Sequence, residues 1–490
     1  MKTVGIIAEY NPFHNGHLYQ LKKAKEITGA DFAVVVMSGD FTQRGTPAVF
    51  DKYTRCRLSL LAGADLCIEL PVVYATASAE LFAKGAVSLL SALGVDALCF
   101  GSECGEIAPL REIASLLFAE PPAYKEALNK ALKEGLSFPS ARAVAVRKCA
   151  HAGSLSGADA AAFNKLPSAG SLSGMDAAAF NNLPSAGSLS GVDAAAFNNL
   201  PSAGSLSGVD AAAFNNLPSA GSLSGVDAAA SDVLASPNNI LGIEYLKALL
   251  ALEKNRQHAP VPYTIKREGD GYLSHTLSEE SFCSAMALRK GIAEGNPDLL
   301  RYVPESIRQE FSDTCQTKSA LCADDFSGML FYKLLSEKDA GYDSYLDVSS
   351  DLSDKIRKNL GTFTTFSAFC ENSLKSKDIT LTRVYRSLLH ILLSIEKEDL
   401  PAAAPYARIL GFRESSFEVF GCLSKENIPL LSRLKDASSL LSPEALSCLS
   451  KDIFAAQLYE HVRMQHKLHM QKDDCPFVSE YSRPVIRISQ

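Results

Sequence analysis

The patterning of the chain predicts an α/β fold with a parallel sheet, interrupted once and followed by an α-helical region. Three observations carry this. Short apolar runs alternate with helical spacing through the first hundred residues, the pattern of βαβ units. A seventeen-residue unit then repeats between residues 152 and 230. From about residue 297 onward the apolar spacing is almost purely helical.

Residues 3–8 form a compact apolar run, the first strand, and residues 17–28 place Leu18, Leu21, Ala24 and Ile27 on one side of a helix. DFAVVVM at 31–37 is a β-branched second strand. Residues 53–62 have helical spacing, DLCIEL at 65–70 is a short strand, 77–93 is helical, and 97–101 is a strand ending in glycine. In such a sheet ligands bind beyond the carboxyl ends of the strands. The loops after Ala8, Met37, Leu70 and Phe100 are therefore the places to search.

The unit AGSLSGxDAAAFNNLPS begins at Ala152, Ala169, Ala186 and Ala203, with a truncated copy from Ala220. Its period lies below the common solenoid periods. Its Asp-Ala-Ala-Ala piece can cap one or two helical turns, too few to stand alone. A duplicated, largely flexible insertion is the expectation, with a small solenoid or binding arm as the alternative. The α/β pattern resumes with a helix at 239–251, a strand at 261–267 (VPYTIKR) and a helix at 278–293. Helical segments follow at 325–335, 352–358, 380–395, 403–410, 429–434 and 451–470. The expected organisation is one domain in two parts, 1–151 and 231–296, split by the insertion 152–230, and an α-helical domain at 297–490.

Of the 490 residues 47% are hydrophobic and 21% charged, with a net charge of −7. That composition excludes a wholly disordered chain and argues against coating nucleic acid through bulk charge, while leaving room for a local basic patch. No apolar run reaches the ~20 residues needed to cross a bilayer, and the first apolar stretch is too short for a signal peptide. Twelve cysteines without a CxxC pair read as reduced thiols in a cytoplasmic protein. His461, His466 and His469 do not share one helical face, and no metal cluster is expected.

The sharpest motif is Asn11-Pro12-Phe13-His14-Asn15-Gly16-His17, after the first strand and opening the first helix. Two imidazoles separated by two residues can approach one phosphate, Gly16 permits close backbone approach, and a helix N-terminus favours anions. Imidazole donors can neutralise charge developing on an α-phosphate during in-line attack. Ser281 to Lys290 is a candidate second phosphate element, with Ser284 as a helix cap and Arg289 on a later turn. Arg44, in the loop after the second strand, can hold an anion through its planar fork. Lys52 and Arg55, on the following helix, read as solvated charges.

The placement of this motif resembles the HIGH-type nucleotidyltransferase superfamily. The wider wording resembles the tRNA(Met) cytidine acetate ligase family: VGIIAEYNPFHNGHLYQL, MSGDFTQRGTPAVFDKYTR, ADLCIELP, FGSECG and SPNNILGIEYLKAL, in that order. The resemblance implies a Rossmann-like nucleotidyltransferase domain and a helical C-terminal region. It implies activation of acetate with ATP to acetyl-adenylate, then acetylation of N4 of the wobble cytidine of elongator tRNA(Met). Mg²⁺ would accompany the ATP. No membrane or protein partner is implied. Carried over by motif, the catalytic residues are His14 and His17. The ATP site comprises Ile7, Ala8, Glu9, Tyr10, Asn11, Pro12, Phe13, His14, Asn15, Gly16, His17, Leu18, Tyr19 and Gln20. Gly101, Asn238 or Asn239, and Arg267 complete it.

For RNA, Lys375, Lys377, Arg383, Arg386 and Arg408 are the candidate phosphate contacts, with Tyr385 available to stack on a splayed base. Two other readings stay open at this point. One is an adenylyltransferase making a dinucleotide-type cofactor, which would leave the helical region without a task. The other is a non-catalytic ATP-binding RNA-binding protein, against which the intact His14 and His17 count.

Overall fold

The computed structural model describes residues 1–136, 138–151, 233–234, 236–267, 285–318, 320–376, 379–424, 426–469 and 477–489. The tandem repeats, Ser284 and Lys377 lie outside the described residues. The first half alternates as its pattern requires. β1 (Thr3–Ala8), α1 (Asn15–Thr28), β2 (Phe32–Ser38), α2 (Lys52–Leu61) and β3 (Leu66–Leu70) are followed by α3 (Val72–Ala75), α4 (Ala79–Ala92) and β4 (Ala97–Ser102). Then come α5 (Ile107–Ala119), α6 (Pro122–Lys133), α7 (Phe138–His151), α8 (Pro237–Lys254), β5 (Val261–Lys266) and α9 (Ala285–Ala293).

The strands lie in the order β5-β4-β1-β2-β3-β6-β7, and β1 to β5 are mutually parallel. β1 is central, with β2 and β3 on one side and β4 and β5 on the other. The chain reverses direction across the sheet between β1 and β4, so the crevice at their carboxyl ends is the ligand position of an open α/β sheet. Strand residues alternate between two cores. Val34, Val36, Ile68 and Leu98 join Phe82, Ile113 and Ile243 on one face. Val4, Ile6, Val35 and Met37 join Leu21 and Leu58 on the other. A strand covered on both faces is apolar along its length, which is why β2 reads FAVVVM without alternation before its closing Ser38.

The region after residue 296 is mostly helical: α10 (Arg308–Thr317), α11 (Ser327–Ser336), α12 (Ser350–Asn359), α13 (Leu381–Leu393) and α14 (Pro443–His469). Two of its segments depart from the helical expectation. Residues 403–410 contain the start of β6 (Ala407–Arg413), and 429–434 contain β7 (Leu430–Leu431). β6 runs antiparallel to β3, and β8 (Ile486–Ile488) pairs with β6. The cause is burial: ARILGFR is covered at six of its seven positions, and periodicity cannot separate a short buried strand from a buried helical turn. The C-terminal region thus completes the sheet, and its apolar side chains from Leu388 to Val462 share a core cluster with β2, β3 and β4.

A buried charge cluster fastens this junction. Lys52, 0% exposed, places Nζ 2.7 Å from Glu69 and 2.6 Å from Glu480. Arg408, 5% exposed, pairs with Glu69 at 3.0 Å and Glu480 at 2.8 Å. Both expectations for these residues are corrected: Lys52 is no solvated charge, and Arg408 has its guanidinium locked inside the sheet, where RNA cannot reach it. Burial alone would raise the Glu480 carboxyl, but Lys52 and Arg408 prevail and hold it at about 2. Removing one partner of a buried ion cluster leaves the other charges uncompensated. Arg408→Met should therefore cost about 3 kcal/mol or more of folding stability, measured by urea unfolding; a loss under about 0.5 kcal/mol, within the range of an ordinary surface change, would show that the cluster does not hold the junction.

Candidate active site

After β1 the chain turns sharply. Tyr10 sits at φ 47°, its ring buried against Phe13 and His17. The loop is held from several sides. Arg55, 0% exposed, donates to the carbonyls of Phe50, Glu9, Ser38 and Gly39, joining the ends of β1 and β2. The expectation that Arg55 is a solvated charge is thus corrected. Asn11 Oδ1 accepts from Val49 N at 2.8 Å, Glu9 Oε1 accepts from Gln43 N at 2.8 Å, and Arg289 Nη1 donates to Asn11 O at 2.7 Å.

His14, extended at φ −147°, is the N-cap of α1. Its Nδ1 accepts from Gly16 N at 3.1 Å, and His17 Nδ1 accepts from His14 N at 3.3 Å. Reciprocal bonds of this kind satisfy the amides that a helix start leaves unpaired. They also set the chemistry of both rings: with Nδ1 accepting, a neutral ring carries its proton on Nε2. The rings stack with centroids 3.7 Å apart. Burial, then the Arg267 and Arg289 charges, pushes His14 down to about 3. Burial, His14 and Arg267 hold His17 well below its usual value. The pair is therefore neutral and offers N–H donors beside two guanidinium groups.

A cleft of about 1310 Å³, counted to its open mouth, occupies the crevice. Of the expected residues, Ile7, Ala8, Glu9, Tyr10, Asn11, His17, Gln20, Arg44, Gly101, Asn238, Arg267 and Arg289 line it. His14 sits against His17. Phe13 is a core residue, with Leu18 and Tyr19 packed against that core, and Asn15 donates to Arg301 O at 3.1 Å. Pro12, which follows a cis peptide bond, and Gly16 shape the turn and are not among the lining residues. The two asparagines that open α8 divide their tasks. Asn238 lines the cleft, its Oδ1 3.5 Å from Arg267 Nη1. Asn239, 2% exposed, accepts from the amides of Glu103 and Cys104 and so fastens the loop after β4.

Sequence reasoning missed Glu103, whose carboxylate accepts from the amides of Asn238 and Asn239 at the start of α8. Its only signal was its place in the loop after β4. Also missed were Phe82, Phe100, Ile240, Leu241 and Tyr245, which give the cleft an apolar wall. Of the RNA candidates, Arg386 is 2% exposed and pairs with Asp347 at 2.8 Å. It is corrected to a structural ion pair, because α13 turns that face inward. Arg383 Nε donates to Asp347 O, and Lys375 is half-buried.

The HIGH Nucleotidyl Transferase family model matches residues 1–474. The tRNA(Met) cytidine acetate ligase of Thermoanaerobacter sp. (strain X514) is 33% identical over 94% of this chain and 95% of its own length. That of Clostridium perfringens (strain ATCC 13124) is 33% identical over 96% and 97%. The chain belongs to the tRNA(Met) cytidine acetate ligase family. In fold it is similar to two crystal structures of Thermotoga maritima TmcAL, each covering 100% of both chains. The apo form has a TM-score of 0.76 at 24% identity, and the form bound with alpha-thio ATP 0.74 at 25%. Family membership accords with a cleft that joins a capped helix start, two imidazoles and two arginines. Among the described residues no helix is long and apolar enough to cross a membrane, and no group of three metal-binding side chains occurs.

Because both folded imidazoles titrate below their unfolded value, the unfolded chain binds more protons below about pH 6.5, and for His14 this holds down to about 3. Their contribution to stability is complete above about 6.5 and is lost as the pH falls through the folded values. The kcat/KM for ATP should accordingly show no inflection near pH 6.5 from these groups. An acid limb there that disappears in His14→Asn would contradict neutral rings.

Proposed function

We propose that the chain is a cytoplasmic ATP-dependent ligase that activates acetate as acetyl-adenylate and acetylates N4 of the wobble cytidine of elongator tRNA(Met). The observation that carries this reading is the neutral, stacked His14–His17 pair beside Arg267 and Arg289 at the carboxyl end of β1. An acetate oxygen attacks the α-phosphorus of ATP, and pyrophosphate leaves. Imidazole N–H and guanidinium groups stabilise the charge that builds on the phosphoryl oxygens, where positioning and electrostatics supply most of the catalysis. ATP enters as its Mg²⁺ complex, so the ion belongs to the substrate. The apolar wall of Phe100, Leu241 and Tyr245 suits the adenine ring. Arg44 is placed to hold acetate or pyrophosphate.

The cytidine N4 lone pair is delocalised into its ring, so only an activated acyl donor reacts with it. That chemistry accounts for an adenylation site in an RNA-modifying enzyme. In this proposal residues 1–151 and 231–296 carry the nucleotide chemistry and residues 297–490 serve the tRNA. In this reading Lys375, Lys377 and Arg383 contact the tRNA phosphates.

Incubation with MgATP, radiolabelled acetate and total tRNA should place label in elongator tRNA(Met) alone. Failure to label tRNA, together with ATP-dependent coupling to a mononucleotide, would contradict the reading. His17→Ala should lower acetate-dependent ATP–pyrophosphate exchange by about 10²–10³-fold while the fold persists by circular dichroism. Unchanged exchange would remove its assigned role.

A further inference from the structure

The reaction just proposed needs a second substrate to reach the acetyl-adenylate, and a second cavity adjoins the nucleotide cleft. It has a volume of about 1630 Å³ counted to its mouth, and it shares Thr46, Met286 and Arg289 with the first. Arg289 is the common wall: its Nη1 is bonded to Asn11 O in the histidine loop, and its side chain also borders the second cavity. Lys290 adds positive charge to the same lining, where Lys318 is paired with Asp51 at 2.7 Å.

One titratable pair in this cavity lies outside the lining of the nucleotide cleft. His466, near the end of α14, places Nε2 2.7 Å from Asp325 Oδ1, and both residues line the cavity. A carboxylate accepts, so Nε2 donates, and Nδ1 is the nitrogen left to take up a proton. Among the described residues nothing bonds Nδ1. Asp325 is itself fixed, since its Oδ2 accepts from Cys322 N at 2.7 Å. A carboxylate that orients an imidazole for proton transfer is a recurrent device in acyl-transfer chemistry.

We propose that the second cavity receives the acceptor nucleobase and that His466 accepts the proton from its attacking amine. This rests on the ligase reading above. The exocyclic nitrogen forms a bond to the acetyl carbon. The bond from that carbon to the phosphoryl oxygen breaks, and AMP leaves with the electron pair. The amine proton passes to His466 Nδ1, and Asp325 stabilises the resulting imidazolium. Lys290, on the rim, meets a phosphate that flanks the base.

The two half-reactions separate the test. Acetate-dependent ATP–pyrophosphate exchange reports adenylation, which His466 does not touch. Transfer from preformed acetyl-adenylate to tRNA(Met) reports the second step. In His466→Ala the transfer rate should fall about 100-fold, exchange should persist, and added imidazole should restore part of the transfer, a rescue that a structural role would not give. Ala293→Phe, which fills the cavity lining, should raise the KM for tRNA and spare exchange. Wild-type transfer rates in His466→Ala, or equal loss of both half-reactions without imidazole rescue, would overturn the proposal. Absence of exchange in the wild-type enzyme would instead overturn the ligase reading itself, and this inference with it.

Discussion

The guanidinium of Arg55 is the contact on which the nucleotide site depends. The loops at the carboxyl ends of β1 and β2 leave the sheet ladder, and their carbonyls need partners inside the protein. Arg55 reaches the carbonyls of Glu9, Ser38, Gly39 and Phe50 from within α2. A charged, five-donor planar group suits this task better than any neutral side chain. Once those carbonyls are fixed, Glu9 can hold Gln43 and Asn11 can hold Val49. The turn that presents His14 and His17 then has one geometry. A functional loop is thus given the rigidity of the sheet.

The same logic extends into the C-terminal region. Lys52 and Arg408 share Glu69 and Glu480, so α2, β3, β6 and the final segment meet at one charged node. Gly45, at φ 76°, lies so close to the backbone of Tyr385 and Arg386 that a Cβ there would collide with α13. The loop carrying Gln43 and Arg44 into the cleft therefore rests on a helix of the C-terminal region, and Asp347 anchors that helix through Arg386. A helix of the C-terminal region is thus part of the support of the nucleotide cleft.

Much of this was legible in the sequence because it is local. The strand–loop–helix placement of Asn11 to His17, the parallel pairing of β1 to β4 and the position of Gly101 near the end of β4, one residue short of its close at Ser102, all follow from short-range pattern and the geometry of open sheets. The assignment of Ala407–Arg413 was not legible, since its strand character comes from pairing with β3 more than three hundred residues away. Lys52, Arg55, Arg386 and Arg408 misled for one shared reason. A cation on a helix or apolar run looks solvated until the distant carboxylates and carbonyls that neutralise it are known. Between Asn238 and Asn239, local sequence could not choose, because the loop after β4 decides which one turns inward.

In His14 and His17 backbone amides occupy Nδ1, so both rings act as neutral imidazoles protonated on Nε2. Nitrogen-15 NMR of histidine-labelled protein, assigned with His14→Asn and His17→Asn, reads tautomer and charge directly. Both rings should be neutral and Nε2-protonated at neutral pH, with His14 staying neutral down to about pH 4. An imidazolium or an Nδ1-protonated ring at neutral pH would contradict this assignment.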